Sequence, residues 1–121
     1  MAHILFVDDD PYTLQTLNKS VELFGHKAIL AATGWEALKM AAEQLPDLII
    51  TDMMLPDMDG LKLIAQLSQD STTAPIPVVM LSASPEVDIA KLSEVAGARE
   101  FLNKPVPLKT LLEIIQRYTT S

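Results

Sequence analysis

The apolar residues of this chain follow two alternating patterns. Five short stretches are largely apolar, which is typical of strands buried in a sheet. They are His3–Val7, Lys27–Ala32, Asp47–Asp52, Pro77–Ser82 and Arg99–Asn103. Between them, apolar residues recur every three or four positions, which is typical of amphipathic helices. Examples are Leu14, Leu17, Val21 and Phe24, and later Leu108, Leu111, Leu112 and Ile115.

Strand and helix alternate five times, and this order predicts the fold class. It indicates an α/β protein with a doubly wound parallel sheet, right-handed crossovers and helices on both faces, which is a three-layer sandwich. Helix boundaries have local signals of their own. We predict first-turn prolines at Pro11 and Pro107, a capping box at Thr33 and Glu36, N-caps at Asp10 and Ser84, left-handed helix ends at Gly25 and Gly97, and a helix stop at Pro46.

Length, composition and charge exclude several classes of protein. The 121 residues, of which 49% are hydrophobic, predict a single domain over residues 1–121 with no effector domain. The net charge of -7 argues against nucleic-acid binding, and the absence of cysteine excludes disulfides and thiolate metal sites. No signal peptide is visible, and no apolar run approaches the roughly 20 residues that cross a bilayer. We therefore expect a soluble, cytoplasmic protein without a membrane partner.

Polar side chains follow the ends of four predicted strands. Asp52 closes the most apolar strand, Asp8 and Asp9 follow the first, Ser82 ends the fourth, and the fifth runs into Lys104. Ligands of doubly wound sheets bind outside the carboxyl ends of the strands. Because adjacent strands lie about 4.8 Å apart, we expect these side chains to share one site.

The residue types at this edge favour phosphoryl transfer. Crowded carboxylates need a shared proton or a cation, and oxygen ligands without nearby His or Cys favour Mg²⁺. Lys104 and Ser82 are suited to contact phosphoryl oxygens. Asp52 is the candidate nucleophile, since a carboxylate can form an aspartyl-phosphate.

These residues resemble those of a known family. The matching segments are Ile4–Asp9 with its acidic pair, Gly34–Leu38, Asp52 followed by Leu55-Pro56 and Asp59-Gly60, Ser82-Ala83, and Lys104-Pro105. Over essentially its whole length the chain resembles the receiver domain of two-component response regulators. The resemblance implies a flavodoxin-like sheet with strand order 2-1-3-4-5.

The resemblance also implies a phosphorylation site with a metal. Asp52 would accept a phosphoryl group from a sensor histidine kinase or a histidine phosphotransfer protein. Asp9 and Asp52 would bind Mg²⁺ directly, the backbone carbonyl of Met54 would be a third ligand, and Asp8 would act through water. The protein would be a signalling switch that catalyses only its own phosphotransfer and autodephosphorylation.

The remaining implied roles concern the response to phosphorylation. Ser82 and Lys104 would hold the phosphoryl oxygens, Phe101 would be the switch aromatic, and the Lys104–Pro105 peptide would be cis. The surface of the fourth helix, fifth strand and fifth helix would control a downstream protein target or an effector domain. We expect a monomer or a phosphorylation-linked dimer.

Several neighbouring residues have simpler structural interpretations. An acidic pair alone is more often a solvated loop than a metal site, and Asp10 is better explained as a helix cap than as a ligand. Turn formation explains Asp57 and Asp59, and packing explains the side chains of Met53, Met54 and Met58. We interpret Trp35 as a partly packed surface residue, and Phe101 alone would be a core aromatic.

Other functional classes fit the sequence less well. A Mg²⁺-dependent phosphatase for small molecules usually needs a second acid after the nucleophile, and Met54 stands there. A flavodoxin-like nucleotide binder would need a Gly-rich loop after the first strand. A degenerate receiver would lack site residues that this chain has. Because Met54 has no group to orient water, we expect that autodephosphorylation is not accelerated.

Overall fold

The computed structural model describes residues 2–83 and 87–119, with only the backbone of residues 87–90. Five strands alternate with five helices. They are β1 His3–Val7, α1 Pro11–Glu22, β2 Lys27–Ala31, α2 Gly34–Gln44, β3 Leu48–Asp52, α3 Gly60–Gln69, β4 Val78–Ser82, α4 Val87–Ala96, β5 Glu100–Asn103 and α5 Leu108–Thr119. Each predicted strand boundary lies within one residue of the observed one. Among the described helices, none is long and apolar enough to cross a bilayer.

The five strands form one parallel sheet in the order β2-β1-β3-β4-β5. β1 lies between β2 and β3, and β4 lies between β3 and the edge strand β5. The chain reverses its winding direction between β1 and β3, which places the switch point of the sheet there. The predicted fold class and strand order are confirmed.

Alternate residues of the strands pack into two separate cores, one on each face of the sheet. In β1, Leu5 and Val7 face the core that α2 and α3 cover, whereas Ile4 and Phe6 face the core that α1 and α5 cover. All four are almost completely buried. The sheet is therefore covered on both sides, and its strand ends are the edges where polar groups can reach solvent.

Side chains cap the N-termini of three helices. Asp10 accepts from the Tyr12 N–H at the start of α1, as predicted. Asp59 accepts from the Lys62 N–H and is the N-cap of α3, a more specific role than the turn former that we predicted.

The capping box of α2 is only partly as predicted. Thr33 Oγ1 accepts from the Glu36 N–H at 3.1 Å. The Glu36 carboxylate accepts from the N–H of Ala32 at 3.3 Å, one residue before the cap. The two hydrogen bonds still join the first turn of α2 to Ala32 and Thr33, the two residues that precede it.

Local sequence patterns predicted some of the helix C-termini correctly and others not. Gly25 and Gly97 have the predicted positive φ, at 83° and 122°. Helix α2 ends at Gln44, and its C-cap Leu45, immediately before Pro46, has φ 47°. Phe24 lies beyond α1 and is 54% exposed, so its assignment to the buried helix face was wrong.

Two further boundary predictions have different outcomes. Pro11 is the first residue of α1, as predicted. Pro107 lies one residue before α5, and its carbonyl accepts the Leu111 N–H at 3.0 Å. The predicted N-cap Ser84 lies outside the described residues.

Candidate functional site

Three carboxylates meet at the carboxyl end of the central strands. Val7 pairs with Thr51 in the β1–β3 ladder, so Asp8 and Asp52, the residues that follow, lie side by side. Oxygens of Asp8, Asp9 and Asp52 all lie within 4.8 Å of one another. Asp8 is buried, Asp52 is half-buried and Asp9 is exposed. The three predicted acids therefore form one cluster that is open to solvent on one side.

Lys104 reaches into this cluster from the loop after β5. Its Nζ lies 3.1 Å from Asp8 Oδ2 and 3.0 Å from Asp52 Oδ2. The Lys104 N–H donates to the Ser82 carbonyl at 2.8 Å, which fixes the loop to the end of β4. The Lys104–Pro105 peptide is cis, as predicted.

The acidic cluster also changes the pKa of the lysine. Burial alone would lower the pKa of Lys104, but the hydrogen bonds and negative charges of Asp52 and Asp8 outweigh that effect and raise the pKa. The ammonium therefore stays protonated at neutral pH. It offsets part of the repulsion among the three carboxylates.

Backbone N–H groups orient two of the carboxylates. Asp8 Oδ1 accepts from the Asp10 N–H at 2.9 Å, and Asp52 Oδ1 accepts from the Met53 N–H at 2.8 Å. In both side chains the other oxygen, Oδ2, contacts Lys104. The carboxylate positions are thus set by local backbone geometry before any ligand binds.

The donor set fits a hard divalent cation. It consists of oxygen atoms from three carboxylates, which is the chemistry that Mg²⁺ prefers, and its open side leaves room for water and a phosphate group. Asp8, Asp9 and Asp52 are the residues of this cluster that would hold such an ion. Lys104 already offsets their charge and would have to share the carboxylate oxygens with the metal.

The loop between β3 and α3 closes on itself beside Asp52. The Met53 carbonyl accepts from the Gly60 N–H at 2.6 Å, and Met54 and Asp59 form an isolated antiparallel bridge. A Cβ at Gly60 would lie 2.7 Å from the Asp52 carbonyl oxygen, so a larger residue has no space there. The loop that carries Met54 is therefore tightly constrained at its base.

The methionines of this loop do not behave alike. Met58 is 8% exposed and packs directly against Gly34, and Met53 is partly buried, so both confirm the packing interpretation. Met54 has a side chain that is 71% exposed, so packing does not explain it.

Asp57 has a partner that the sequence did not indicate. Its carboxylate accepts from the N–H groups of Gly34 at 2.8 Å and Trp35 at 2.9 Å, at the start of α2. Partial desolvation would raise the pKa of Asp57, but hydrogen bonds from backbone N–H groups, first those of Gly34 and Trp35, outweigh it and lower the pKa. The partners are 22 and 23 residues away, so no local motif could have revealed the contact.

Ser82 and Phe101 lie on neighbouring strands of the same region. Ser82 is buried at the end of β4, one strand away from Asp52. Phe101 pairs with Met80 in the β4–β5 ladder and is partly buried against the core beneath α2 and α3. Trp35, in contrast, is 62% exposed at the start of α2, more than the partly packed position we predicted.

A cavity of about 200 Å³ adjoins the carboxylates between α1 and the loop after β5. Asp8, Asp52 and Lys104 line its polar end. The rest of the lining is mostly apolar and consists of Phe6, Val7, Thr13, Leu17, Ile50, Leu81, Pro105 and Val106. The acidic cluster is thus bordered on one side by a low-polarity space, which strengthens its interactions with Lys104.

Comparison with known proteins identifies the family. The sequence profile of the response regulator receiver domain matches residues 4–116. Protein PilH of Pseudomonas aeruginosa is 33% identical over 115 residues, which cover 95% of each chain. Several other curated relatives are longer, and the chain spans about half of their length.

Solved structures give the same result. Chemotaxis protein CheY4 of Vibrio cholerae has a TM-score of 0.91 and 30% identity, with 98% of each chain covered. The receiver domain of sensor histidine kinase PA1611 from Pseudomonas aeruginosa, which has a magnesium ion coordinated in its active site cleft, has a TM-score of 0.89 and 27% identity, with 99% of this chain and 98% of that one covered. The chain therefore belongs to the family of response regulator receiver domains of two-component systems.

Proposed function

We propose that this protein is a phosphorylation-controlled switch in which Asp52 accepts a phosphoryl group from a histidine kinase or a histidine phosphotransfer protein. Receiver domains in general bind Mg²⁺ at an acidic pocket and interact with such donors and with downstream effectors. The observation that carries the proposal is the convergence of Asp8, Asp9, Asp52 and Lys104 at one strand edge.

Asp52 is the proposed nucleophile. One of its carboxylate oxygens attacks the phosphorus, the bond from the donor to phosphorus breaks, and the donor nitrogen leaves with the bonding electrons. Its position at a strand end, half-buried and oriented by the Met53 N–H, supports this role. The orientation lowers the entropy cost of reaching an in-line geometry.

Asp9 and Asp52 are proposed to hold Mg²⁺ directly, with the Met54 carbonyl as a third ligand and Asp8 acting through water. When bound, the ion supplies positive charge that offsets the charge on the phosphoryl oxygens. Asp9 is the exposed member of the cluster, so an ion that arrives from solvent can reach its carboxylate directly.

Lys104 and Ser82 are proposed to hold phosphoryl oxygens. The Lys104 ammonium already lies 3.0 Å from Asp52, so a small shift would bring it from the carboxylate to the new phosphoryl group. Ser82 ends the strand next to Asp52 and its hydroxyl can donate to another oxygen. Both would strengthen their interactions as negative charge accumulates.

The response is proposed to reach a partner through α4, β5 and α5. Phe101 lies on β5, two residues before Asn103, which pairs with Ser82, and it would change its packing when Ser82 moves. On α4, Leu92 and Val95 are 54% and 83% exposed, which supports a surface that meets a protein partner or an effector domain.

Labelling with acetyl phosphate and Mg²⁺ tests the proposal. Wild type should form an acid-stable, base-labile phosphoprotein, and Asp52→Asn should not. Asp47→Asn is the matched control because Asp47 is an exposed acid at the opposite edge, where it accepts from the His3 N–H. Rapid turnover of a small phosphorylated substrate would instead indicate an enzyme, and no labelling of wild type would indicate a degenerate receiver.

A further inference from the structure

The start of α2 is held by a residue of the loop that follows the phosphorylation site. Asp57 accepts from the N–H groups of the first two residues of α2, Gly34 and Trp35. A carboxylate is stabilised there because a helix N-terminus has unpaired N–H groups and a partial positive charge. The contact joins two segments that are distant in sequence.

The hydrogen bonding of this helix start is complete only with Asp57. The helix's own cap, Thr33, uses its side chain for the Glu36 N–H and its carbonyl for the Ala37 N–H. The Glu36 carboxylate accepts from Ala32 instead. The first two N–H groups of α2 are therefore satisfied by Asp57, and they would face water without it.

The same loop is anchored at two further places. Its base is closed by the hydrogen bond between Gly60 and Met53 and by the bridge between Met54 and Asp59. Next to Asp57, the buried Met58 side chain packs against the backbone of Gly34. The loop is thus closed at its base, where Met54 lies, and is fixed to α2 at its tip by Asp57 and Met58.

We propose that Asp57 is a positioning residue for the metal site. By fixing the loop from Met53 to Asp59 against α2, it holds the Met54 carbonyl at the carboxylate cluster before a metal binds. The inference rests on the proposed role of Met54 as a ligand and goes beyond it. It assigns the preorganisation of that ligand to a side chain that contacts α2 instead of the metal.

A coupling of this kind works in both directions. If the contact between Asp57 and α2 favours metal binding, metal binding must favour the contact by the same factor. The first turn of α2, including the exposed Trp35, should therefore become more ordered when Mg²⁺ binds. Trp35 is the only tryptophan of the chain, so its fluorescence reports this turn selectively.

The test is Mg²⁺ titration by calorimetry of wild type, Asp57→Ala and Asp47→Ala. The control removes the same charge and the same kind of contact, since Asp47 accepts from a backbone N–H 44 residues away at the opposite edge of the sheet. We expect Asp57→Ala to weaken Mg²⁺ binding about tenfold and Asp47→Ala to leave it within twofold of wild type. Asp57→Asn keeps the shape of the side chain and should have a Mg²⁺ affinity between those of wild type and Asp57→Ala. This variant tests the inference if Asp57→Ala does not fold.

Amide hydrogen exchange provides the second measurement. Mg²⁺ should slow exchange at Gly34 and Trp35 in wild type and in Asp47→Ala, and should have no effect there in Asp57→Ala. An unchanged Mg²⁺ affinity in both Asp57 variants overturns this inference alone. A wild-type protein that binds no Mg²⁺ overturns the proposed function and this inference with it.

Discussion

The Nζ of Lys104 lies 3.0 Å from the Oδ2 of Asp52, the proposed phosphoacceptor. The same ammonium also lies 3.1 Å from Asp8. The positive charge of Lys104 thus lies close to where a bound metal would place its own charge. In this arrangement a bound metal would have to compete with Lys104 for the carboxylate oxygens of Asp52.

The first prediction follows from this competition. Lys104→Met should tighten Mg²⁺ binding by about three- to tenfold, because a partly buried ion pair is worth on the order of 1 kcal/mol. The thermal stability of the metal-free variant should fall, since three carboxylates lose their nearby cation. Calorimetry and thermal unfolding with and without Mg²⁺ measure both effects. Lys109→Met, at an exposed position of α5, is the control, and an equal change in both variants would contradict the prediction.

The second prediction concerns the lifetime of the phosphorylated form. Met54 is 71% exposed and has no group that orients water, so spontaneous loss of the phosphoryl group should be slow. Met54→Asn should accelerate it roughly three- to tenfold, less than a fully positioned general base would. The measurement is the decay of labelled protein after removal of the donor. Met54→Leu should decay like wild type, and an unchanged rate in Met54→Asn would refute the idea.

The third prediction concerns the close approach at Gly60. Its Cβ position lies 2.7 Å from the Asp52 backbone oxygen, which cannot move without shifting the strand end. Gly60→Ala should therefore lower the free energy of unfolding by about 1–3 kcal/mol in urea denaturation. Gly34→Ala is the matched comparison, because Gly34 also begins a helix and its closest contact is the flexible Met58 side chain. An equal or larger loss in Gly34→Ala would show that the backbone contact is unimportant.

The fourth prediction is a pH dependence at the far end of the sheet. Glu100 accepts hydrogen bonds from Tyr118 and Arg117. Burial would raise the pKa of Glu100, but the hydrogen bonds from Tyr118 and Arg117 and the Arg117 charge outweigh it and lower the pKa from 4.5. A lowered pKa adds stability above about pH 4.5 that is lost as the pH falls through the folded-state value.

Glu100→Gln should therefore be less stable than wild type by up to about 1 kcal/mol at neutral pH, because the pair is partly exposed. The difference between the two proteins should shrink as the pH falls below about 4.5. Urea denaturation over this pH range measures it. A difference that stays constant down to acidic pH would show that the Glu100 charge is not responsible.

Local patterns in the sequence were enough to predict most of the fold. Continuous apolar stretches marked the strands because both faces of the sheet are buried, and helical periodicity marked α1 and α5 because each covers one face. Phe24 was misassigned because the spacing of apolar residues does not show where a helix ends. Asp59 was predicted only as a turn former and is the N-cap of α3, because both roles use the same side-chain chemistry.

The residues of the candidate site, too, could be predicted from the sequence only in part. Asp8, Asp9 and Asp52 could be selected from the sequence because Asp52 closes a predicted strand and the other two follow one, and parallel strands bring their carboxyl ends to one edge. Asp57 could not be selected for its contact with α2. A carboxylate in a turn has many local partners, and nothing in the sequence indicates a backbone group 22 or 23 residues away.

The sequence by itself determined the alternation of strands and helices, the two-sided core and the set of polar residues at the strand ends. These depend on periodicity and on chain direction, which are local properties. Only the tertiary structure decided that Lys104 lies between Asp8 and Asp52, 96 residues from the former, and that Asp57 accepts from the first N–H groups of α2. Such contacts depend on how crossovers and loops pack, and packing combines distant segments whose relative position no local pattern encodes.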